Sequence, residues 1–232
     1  MKLSIMQPYL FPHLGYFQLI NIVDKFILYD DVSFIKKGWI NRNRILLNRK
    51  AHLITFPLRK SSQNVLIKDL ELYVNELWIK KFLMTIEHAY CNAPYFKRVF
   101  SIIKSIVNID AKYIKDWHID SFNQINEYLG IDTIIEKSSS IYDNNNLHGQ
   151  HRIIDICKKE NAKQYINPIG GLEIYDKDSF LKNGIILSFL ESKSIDNYQL
   201  GKLSVKNLSI IDVMMSNSPN TIKSSMDDYI LL

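Results

Sequence analysis

The chain has 232 residues, of which 47% are hydrophobic and 23% are charged. A chain of this length can bury a full core as one domain, and its composition excludes wholesale disorder. The formal net charge of +5, from 29 Lys and Arg against 24 Asp and Glu, permits an anionic ligand without selecting its class.

The first elements predict a parallel strand, helix, strand unit. Residues 2 to 6 form a short apolar run typical of a buried strand, and Pro8 ends it because proline lacks a backbone donor. Apolar residues at three- and four-residue spacing predict a helix over residues 14 to 23, and residues 25 to 29 form a second strand. So short a crossover indicates parallel strands and a right-handed unit.

Polar residues follow both strands of this unit, where open α/β sheets bind ligands. We expect Gln7, His13, Gly15, Asp30 and Asp31 to converge there. Gly15 permits close approach to a ligand, and the helix start beside it offers unpaired N–H groups to a phosphate. The alternative interpretation is a proline-rich turn whose aromatic residues fill a small core.

Residues 34 to 44 are too polar for a core strand and combine four cations with asparagine and tryptophan. Guanidinium groups bind carboxylate or phosphate at two points, and asparagine side chains orient hydroxyls or amides. A solvated basic loop is the alternative to a ligand groove. The candidate ligand-binding residues are Lys36, Lys37, Trp39, Asn41, Arg42, Asn43 and Arg44.

The middle of the chain predicts a helical insertion at about residues 73 to 130. It follows strands predicted at residues 51 to 58 and 65 to 72. Aromatic and aliphatic stripes indicate helices at residues 75 to 90, 95 to 106 and 111 to 129, and Gly130 ends the last one. We therefore expect an α/β fold, with a mainly parallel Rossmann-like sheet and this insertion.

The last hundred residues return to the sheet and add candidate ligand contacts. Strands are expected at residues 131 to 136, 164 to 167 and 185 to 190, and helices at 153 to 160 and 177 to 182. The polar segment at residues 138 to 146 reads as a mobile loop. The candidate contacts, beside a helix start or a Gly-Gly turn, are Gln150, Arg152, Asn167, Gly170 and Gly171.

Asp212 is a lone acid in the apolar helix predicted at residues 208 to 215. A buried carboxylate needs a partner, for which Arg42, Arg44 or a backbone cap would serve. Cys91 and Cys157 lack metal-ligand spacing, and no apolar run approaches the roughly 18 residues that span a bilayer. We therefore expect a cytoplasmic protein with reduced thiols and no stable membrane insertion.

Motifs along nearly the whole chain resemble the WbqC-like protein family of bacterial O-antigen (lipopolysaccharide) and other surface-polysaccharide gene clusters, implying one domain over residues 1 to 232. They are Gln7-Pro8-Tyr9, Pro12 with Gly15-Tyr16-Phe17, Tyr29-Asp30-Asp31-Val32, and residues 36 to 44, 165 to 171, 187 to 190, 208 to 213 and 217 to 219. The loop at His13 is also similar to the His-x-Gly-His loop of nucleotidylyltransferases. Tyr16 replaces its second histidine, which disfavours nucleotidyl transfer but leaves phosphate binding open.

The resemblance implies a transferase that attaches an amino-acid-type, glycyl-like acyl group to the amine of a nucleotide-linked amino sugar. In this hypothesis Asp30 or Asp31 is the base or amine ligand, His13 carries the proton or contacts phosphate, and Lys36, Arg42 and Arg44 clamp anions. No metal site is assigned.

Two alternatives remain open. One is nucleotidyl or adenylate transfer, with ATP at residues 13 to 16 and Mg²⁺ held by Asp30 and Asp31. The other is a non-catalytic binder of nucleotide-linked sugars. Nucleic acid is not expected as a partner, because it would require a continuous basic face with exposed aromatic residues.

Overall fold

A mainly parallel β-sheet lies at the centre of the fold in the computed structural model, which describes residues 1–59, 62–193 and 205–232. The strands are β1 (Lys2–Met6), β2 (Lys25–Leu28), β3 (Arg42–Leu47), β4 (Lys50–Thr55), β5 (Leu58–Arg59), β6 (Glu71–Leu72), β7 (Ile134–Glu136), β8 (Gln164–Pro168), β9 (Ile186–Ser192) and β10 (Tyr229–Leu231). The helices are α1 (Leu14–Ile22), α2 (Glu76–Tyr90), α3 (Phe96–Val107), α4 (Ile114–Leu129), α5 (Gly149–Lys159), α6 (Lys177–Lys182), α7 (Ile210–Ser216) and α8 (Pro219–Ser225).

The main sheet has the strand order β10-β9-β8-β1-β2-β7, in which β10 alone of the described strands is antiparallel to its neighbour. β1 pairs in parallel with β2 across α1, as the sequence predicts. The predicted fold class, an α/β protein with a mainly parallel sheet and a helical insertion, is confirmed.

Side chains alternate between two cores on opposite faces of the sheet, as strand geometry requires. In β2, Phe26 and Leu28 pack into one core with α1 and the α2 to α4 insertion, whereas Ile27 packs into the other with α5. Helices therefore cover both faces, and the ends of the parallel strands form an edge between the two layers.

The insertion begins and ends where capping chemistry predicts. The side chain of Asn75 accepts a hydrogen bond from the N–H of Trp78 at the start of α2. Gly130 adopts φ of 67° at the end of α4, a left-handed conformation that favours glycine.

One sequence-based expectation near this insertion is wrong. Most of the strand expected at residues 65 to 72 is absent, because Ile67–Asp69 forms a 3-10 helix and only Glu71–Leu72 is extended. The N–H groups of Ile67 and Lys68 bond to the carbonyls of Val32 and Asp30, which bends the segment around the end of β2.

Asp212 has a different partner from those expected. The hydroxyl of Tyr90 donates to its Oδ1 at 3.1 Å and accepts from the N–H of Leu46 at 3.2 Å, so α7, α2 and β3 meet there. Burial raises the pKa of Asp212 to about 6, and its Oδ2 has no partner in the described part of the chain.

Candidate functional site

A cavity of about 600 Å³ opens at the carboxyl ends of β1, β8 and β9. From β1 the chain continues to β2 on one side, and from β8 to β9 on the other, so the connections diverge here. Ligands of open α/β sheets bind at such a switch point, and the volume is in the range of small-molecule sites. The wall residues that concern its chemistry are Tyr9, His13, Gly15, Tyr16, Trp39, Asn43, Ile169, Glu191, Ser192, Lys206 and Asn207.

Asn43 holds the loop that follows β1. Its Nδ2 donates to the carbonyls of Leu10 and Phe11, both at 2.8 Å, and its Oδ1 accepts from the N–H of Arg44. Phe11 has a φ of 41°, an unusual conformation for a side chain of its size. Asn43 therefore lines the cavity, but both of its amide hydrogens bond to the backbone.

The start of α7 supports the same loop from the other side. The hydroxyl of Ser209 donates to the carbonyl of Phe11 at 2.9 Å, and the N–H of Ile210 donates to that of Pro12 at 2.9 Å. The N–H of Ser209 also bonds to the carbonyl of Arg44 at 2.8 Å. Elements from the two ends of the sequence thus fix the cavity wall around His13.

His13 is the N-cap residue of α1 and lies on the cavity wall. Burial lowers its pKa from 6.5 to about 4, so the imidazole is uncharged at neutral pH. Its Nδ1 is buried and has no hydrogen-bond partner among the described residues. Because Gly15 and Tyr16 also line the cavity, the amino end of α1 faces the same space.

Tyr16 has an anchoring role beside the cavity. Its hydroxyl donates to the carbonyl of Gln7 at 2.9 Å, and its ring centroid lies 5.6 Å from that of Tyr9. Gln7 is therefore held through its backbone. The two tyrosine rings form an aromatic wall next to His13.

The chain belongs to the WbqC-like protein family. The family model matches residues 7–224, a range that contains the strand ends and loops described above. The chain is 27% identical over 207 residues to the uncharacterized protein Rv1507c of Mycobacterium tuberculosis, and the match covers 85% of each chain. No solved structure matches it. Membership in the WbqC-like family suggests a role in polysaccharide biosynthesis.

In this WbqC-like protein, Asp30 and Asp31 lie at the end of β2 and are absent from the cavity wall. The Oδ2 of Asp31 is 2.5 Å from Nη2 of Arg152, and its Oδ1 accepts from the hydroxyl of Ser139. The Oδ1 of Asp30 accepts from the hydroxyl of Ser138 at 2.6 Å and from the N–H of Ser139 at 3.2 Å. Burial raises the pKa of Asp30.

Arg152 is a buried structural cation in this arrangement. Its Nε donates to Asn144 at 2.9 Å, its Nη2 donates to Asn145 at 2.6 Å, and its guanidinium lies 5.0 Å from the Tyr29 ring centroid. The segment expected to be a mobile loop supplies these partners, which explains why Ser139 and Asn144 are buried. The network joins β2, the residues after β7, and α5.

The paired acids do not fit a Mg²⁺ ion. Three of their four carboxylate oxygens already accept hydrogen bonds, one of them from a guanidinium, and Asp30 Oδ2 is the oxygen that lacks a partner in the described chain. A Mg²⁺ ion requires free oxygen ligands in octahedral geometry. The described ranges also contain no group of three or more His, Cys, Asp or Glu residues arranged to hold a metal.

Within the basic segment, residues 34 to 44, some side chains lie at the cavity and others lie on the surface. Trp39 lines the cavity, and the guanidinium of Arg44 lies 5.3 Å from its ring centroid. Lys36 and Lys37 are exposed away from the lining. Arg42 donates to the carbonyls of Gly38 and Lys37, and Asn41 donates to that of Phe56. These two side chains therefore shape the loop.

The candidate residues later in the sequence also differ in whether they reach the cavity. Gly170 is exposed, whereas Gly171 is buried against Asn167, where an added Cβ would lie 1.9 Å from Asn167 Nδ2. Gln150 Oε1 accepts from the N–H of Asp176 at 3.0 Å. Of residues 167 to 171, Pro168 and Ile169 reach the cavity wall.

Four polar wall residues were absent from the sequence-based candidates: Glu191, Ser192, Lys206 and Asn207. Glu191 and Ser192 end β9, so a prediction extended to the carboxyl end of every parallel strand would have included them. Lys206 and Asn207 lie just before α7, in a segment whose sequence gives no comparable indication.

Two further expectations concern the thiols and the membrane. Both cysteines are free, and burial raises the pKa of Cys157 to about 12, so this thiol is unreactive at neutral pH. Cys91 is exposed and is not part of the cavity wall. Among the residues that the structure describes, none of the helices is both long and apolar enough to cross a bilayer.

Proposed function

We propose that this protein transfers an amino-acid-type, glycyl-like acyl group to the amine of a nucleotide-linked amino sugar, which binds in the cavity at the switch point of the sheet. The observation that carries the proposal is the imidazole of His13, which lines this cavity and makes no hydrogen bond through its buried Nδ1 with any described residue. A neutral imidazole can accept a proton from an attacking amine, whereas an imidazolium cannot.

His13 replaces Asp30 and Asp31 as the proposed base, because the two acids hold Ser138, Ser139 and Arg152 outside the cavity wall. The amine nitrogen attacks the carbonyl carbon of an activated acyl group, either a thioester or an acyl phosphate. The new C–N bond forms as the bond to the leaving group breaks. His13 takes the proton from nitrogen and delivers it to the departing group, so charge and atoms balance.

The rest of the wall suits a nucleotide-linked sugar. Backbone N–H groups at the start of α1 would bind the pyrophosphate, with the ammonium of Lys206 on the same cavity wall. Trp39, which is 38% exposed, offers an aromatic surface to a nucleobase. Asn43 and Ser209 hold the His13 loop in place before a ligand enters.

The test is mass spectrometry of the purified protein incubated with nucleotide-linked amino sugars and activated amino-acid donors. We expect a sugar nucleotide heavier by one acyl group, and a loss of this product by a factor of about 10² to 10⁴ in His13→Gln, the usual contribution of a general base. His88→Gln is the matched control, because His88 is exposed on α2 and does not line the cavity. Equal product from wild type and His13→Gln would disprove the base role.

Two other outcomes favour the alternatives. Release of AMP when ATP and a free amino acid are supplied would indicate adenylate chemistry. Thermal stabilisation by a nucleotide-linked sugar, with no new product from any donor, would indicate a non-catalytic binder.

A further inference from the structure

We infer that Ser192 is a positioning residue for His13: its hydroxyl accepts a hydrogen bond from the Nδ1–H group of His13, directly or through one water molecule. The Nε2 lone pair is thereby directed into the cavity. This inference rests on the proposed role of His13 as the base. It assigns a function to a residue at the end of β9, on the opposite side of β1 from Asp30 and Asp31.

The first observation is a pair of buried polar atoms without partners. Nδ1 of His13 and Oγ of Ser192 are both shielded from solvent, and neither makes a hydrogen bond with any described residue. Both residues line the cavity. Buried polar groups are nearly always paired, so two unpaired groups at one site indicate an interaction that a ligand or a small rotation completes.

The second observation is that the side chains of His13 and Ser192 lie next to each other beside Gly15. A Cβ built on Gly15 would lie 3.2 Å from Nδ1 of His13 and 3.5 Å from Cβ of Ser192. The imidazole and the serine methylene therefore flank the same empty position. A change of the Ser192 χ1 rotamer, or one water molecule, is sufficient to connect the hydroxyl to Nδ1.

The third step concerns the tautomer of the imidazole. A neutral histidine carries one ring proton, and it can act as a base toward the cavity only if that proton is on Nδ1. The buried Nδ1–H group then needs an acceptor. Ser192 Oγ is an unpaired buried acceptor beside it, whereas Asp30 and Asp31 are not part of the cavity wall.

The test is ¹⁵N NMR of the imidazole nitrogens in the full chain at neutral pH, which distinguishes the two tautomers. The chain has six histidines, so His13→Gln identifies the resonances of His13. We expect the Nδ1–H tautomer in wild type, a mixture of tautomers in Ser192→Ala, and recovery of the wild-type spectrum in Ser192→Thr, which keeps the hydroxyl.

Ser188→Ala is the matched control on the same strand. Its hydroxyl accepts from Gln164 at 3.0 Å, and it is not part of the cavity wall, so the His13 signals should not change. If the His13 proton is on Nε2 in wild type, or if Ser192→Ala leaves the tautomer unchanged, the inference is wrong.

Kinetics separate this inference from the proposed function. In the acyl-transfer assay we expect Ser192→Ala to lower kcat by about 10- to 100-fold, as for groups that orient metal-bound histidines, with KM unchanged. If product formation depends on His13 but the His13 tautomer is the same in wild type and Ser192→Ala, the positioning role alone is refuted. A tautomer that responds to Ser192 without any acyl product would support the positioning and refute acyl transfer.

Discussion

Arg152 and Asp31 form a buried ion pair, with 2.5 Å between Nη2 and Oδ2 and side-chain exposures of 5% and 1%. Removing one member of such a pair leaves an uncompensated charge in the interior. We expect Arg152→Met to lower the free energy of unfolding by about 3–5 kcal/mol, measured by urea denaturation.

The control for this prediction is Arg59→Met, whose pair with Glu71 is exposed and 3.9 Å long and should contribute less than about 1 kcal/mol. The double variant Asp31→Asn with Arg152→Met should recover much of the lost stability, because no unpaired charge remains. An Arg152→Met protein as stable as wild type would contradict the structural role of this pair.

Adjacent glycines after β8 provide a matched comparison. A Cβ at position 171 would overlap Nδ2 of the buried Asn167, whereas a Cβ at position 170 would meet nothing within 4 Å. We expect Gly171→Ala to cost about 1–3 kcal/mol through displacement of Asn167, and Gly170→Ala to be nearly neutral. Thermal unfolding of the two variants tests this, and equal losses would show that Asn167 moves at no cost.

The titration of His13 gives a pH prediction. Its folded-state pKa of about 4 is below the ordinary value of 6.5, so between these values the unfolded chain binds more protons and stability falls as the pH falls. We expect His13→Gln to weaken the loss of stability between pH 6.5 and 4. Urea denaturation across this window measures it, and His88→Gln is the control.

Asp212 should have the opposite pH dependence. Burial raises its pKa from 3.8 to about 6, so the folded state binds more protons between these values, and stability decreases as the pH rises through this window. Asp212→Asn removes this dependence. Relative to wild type, the variant should gain about 2 kcal/mol on going from pH 4 to pH 7.

The exposed Asp178 on α6 is the control for this experiment. If the stabilities of Asp212→Asn and Asp178→Asn depend on pH in the same way, ionisation of Asp212 does not destabilise the folded protein. The measurement is unfolding by urea at pH 4, 5, 6 and 7.

Local patterns predict much of the fold because the interactions responsible are close in sequence. The proline after β1, the Asn75 cap and the left-handed Gly130 act within one turn of chain, and the corresponding elements form as expected. The predicted strand at residues 65 to 72 fails because its backbone bonds to carbonyls at the end of β2, more than thirty residues away.

The candidate site is only partly predictable for the same physical reason. Of the sequence-based candidates, His13, Gly15, Tyr16, Trp39 and Asn43 line the cavity. Asp30 and Asp31 have the composition of a catalytic pair, but Arg152, over a hundred residues later, binds Asp31. Burial and distant partners, which a single sequence does not reveal, decide which acids are free.

The strand order also determines when the cavity can form during synthesis. β1 pairs with β2 within the first thirty residues, but its other neighbour is β8, with Lys2 opposite Gln164. The ribosome must therefore add most of the chain before the second wall of the cavity exists, because a domain forms its distant contacts only after both segments have emerged. Until then β1 presents an unpaired edge that can pair with another chain.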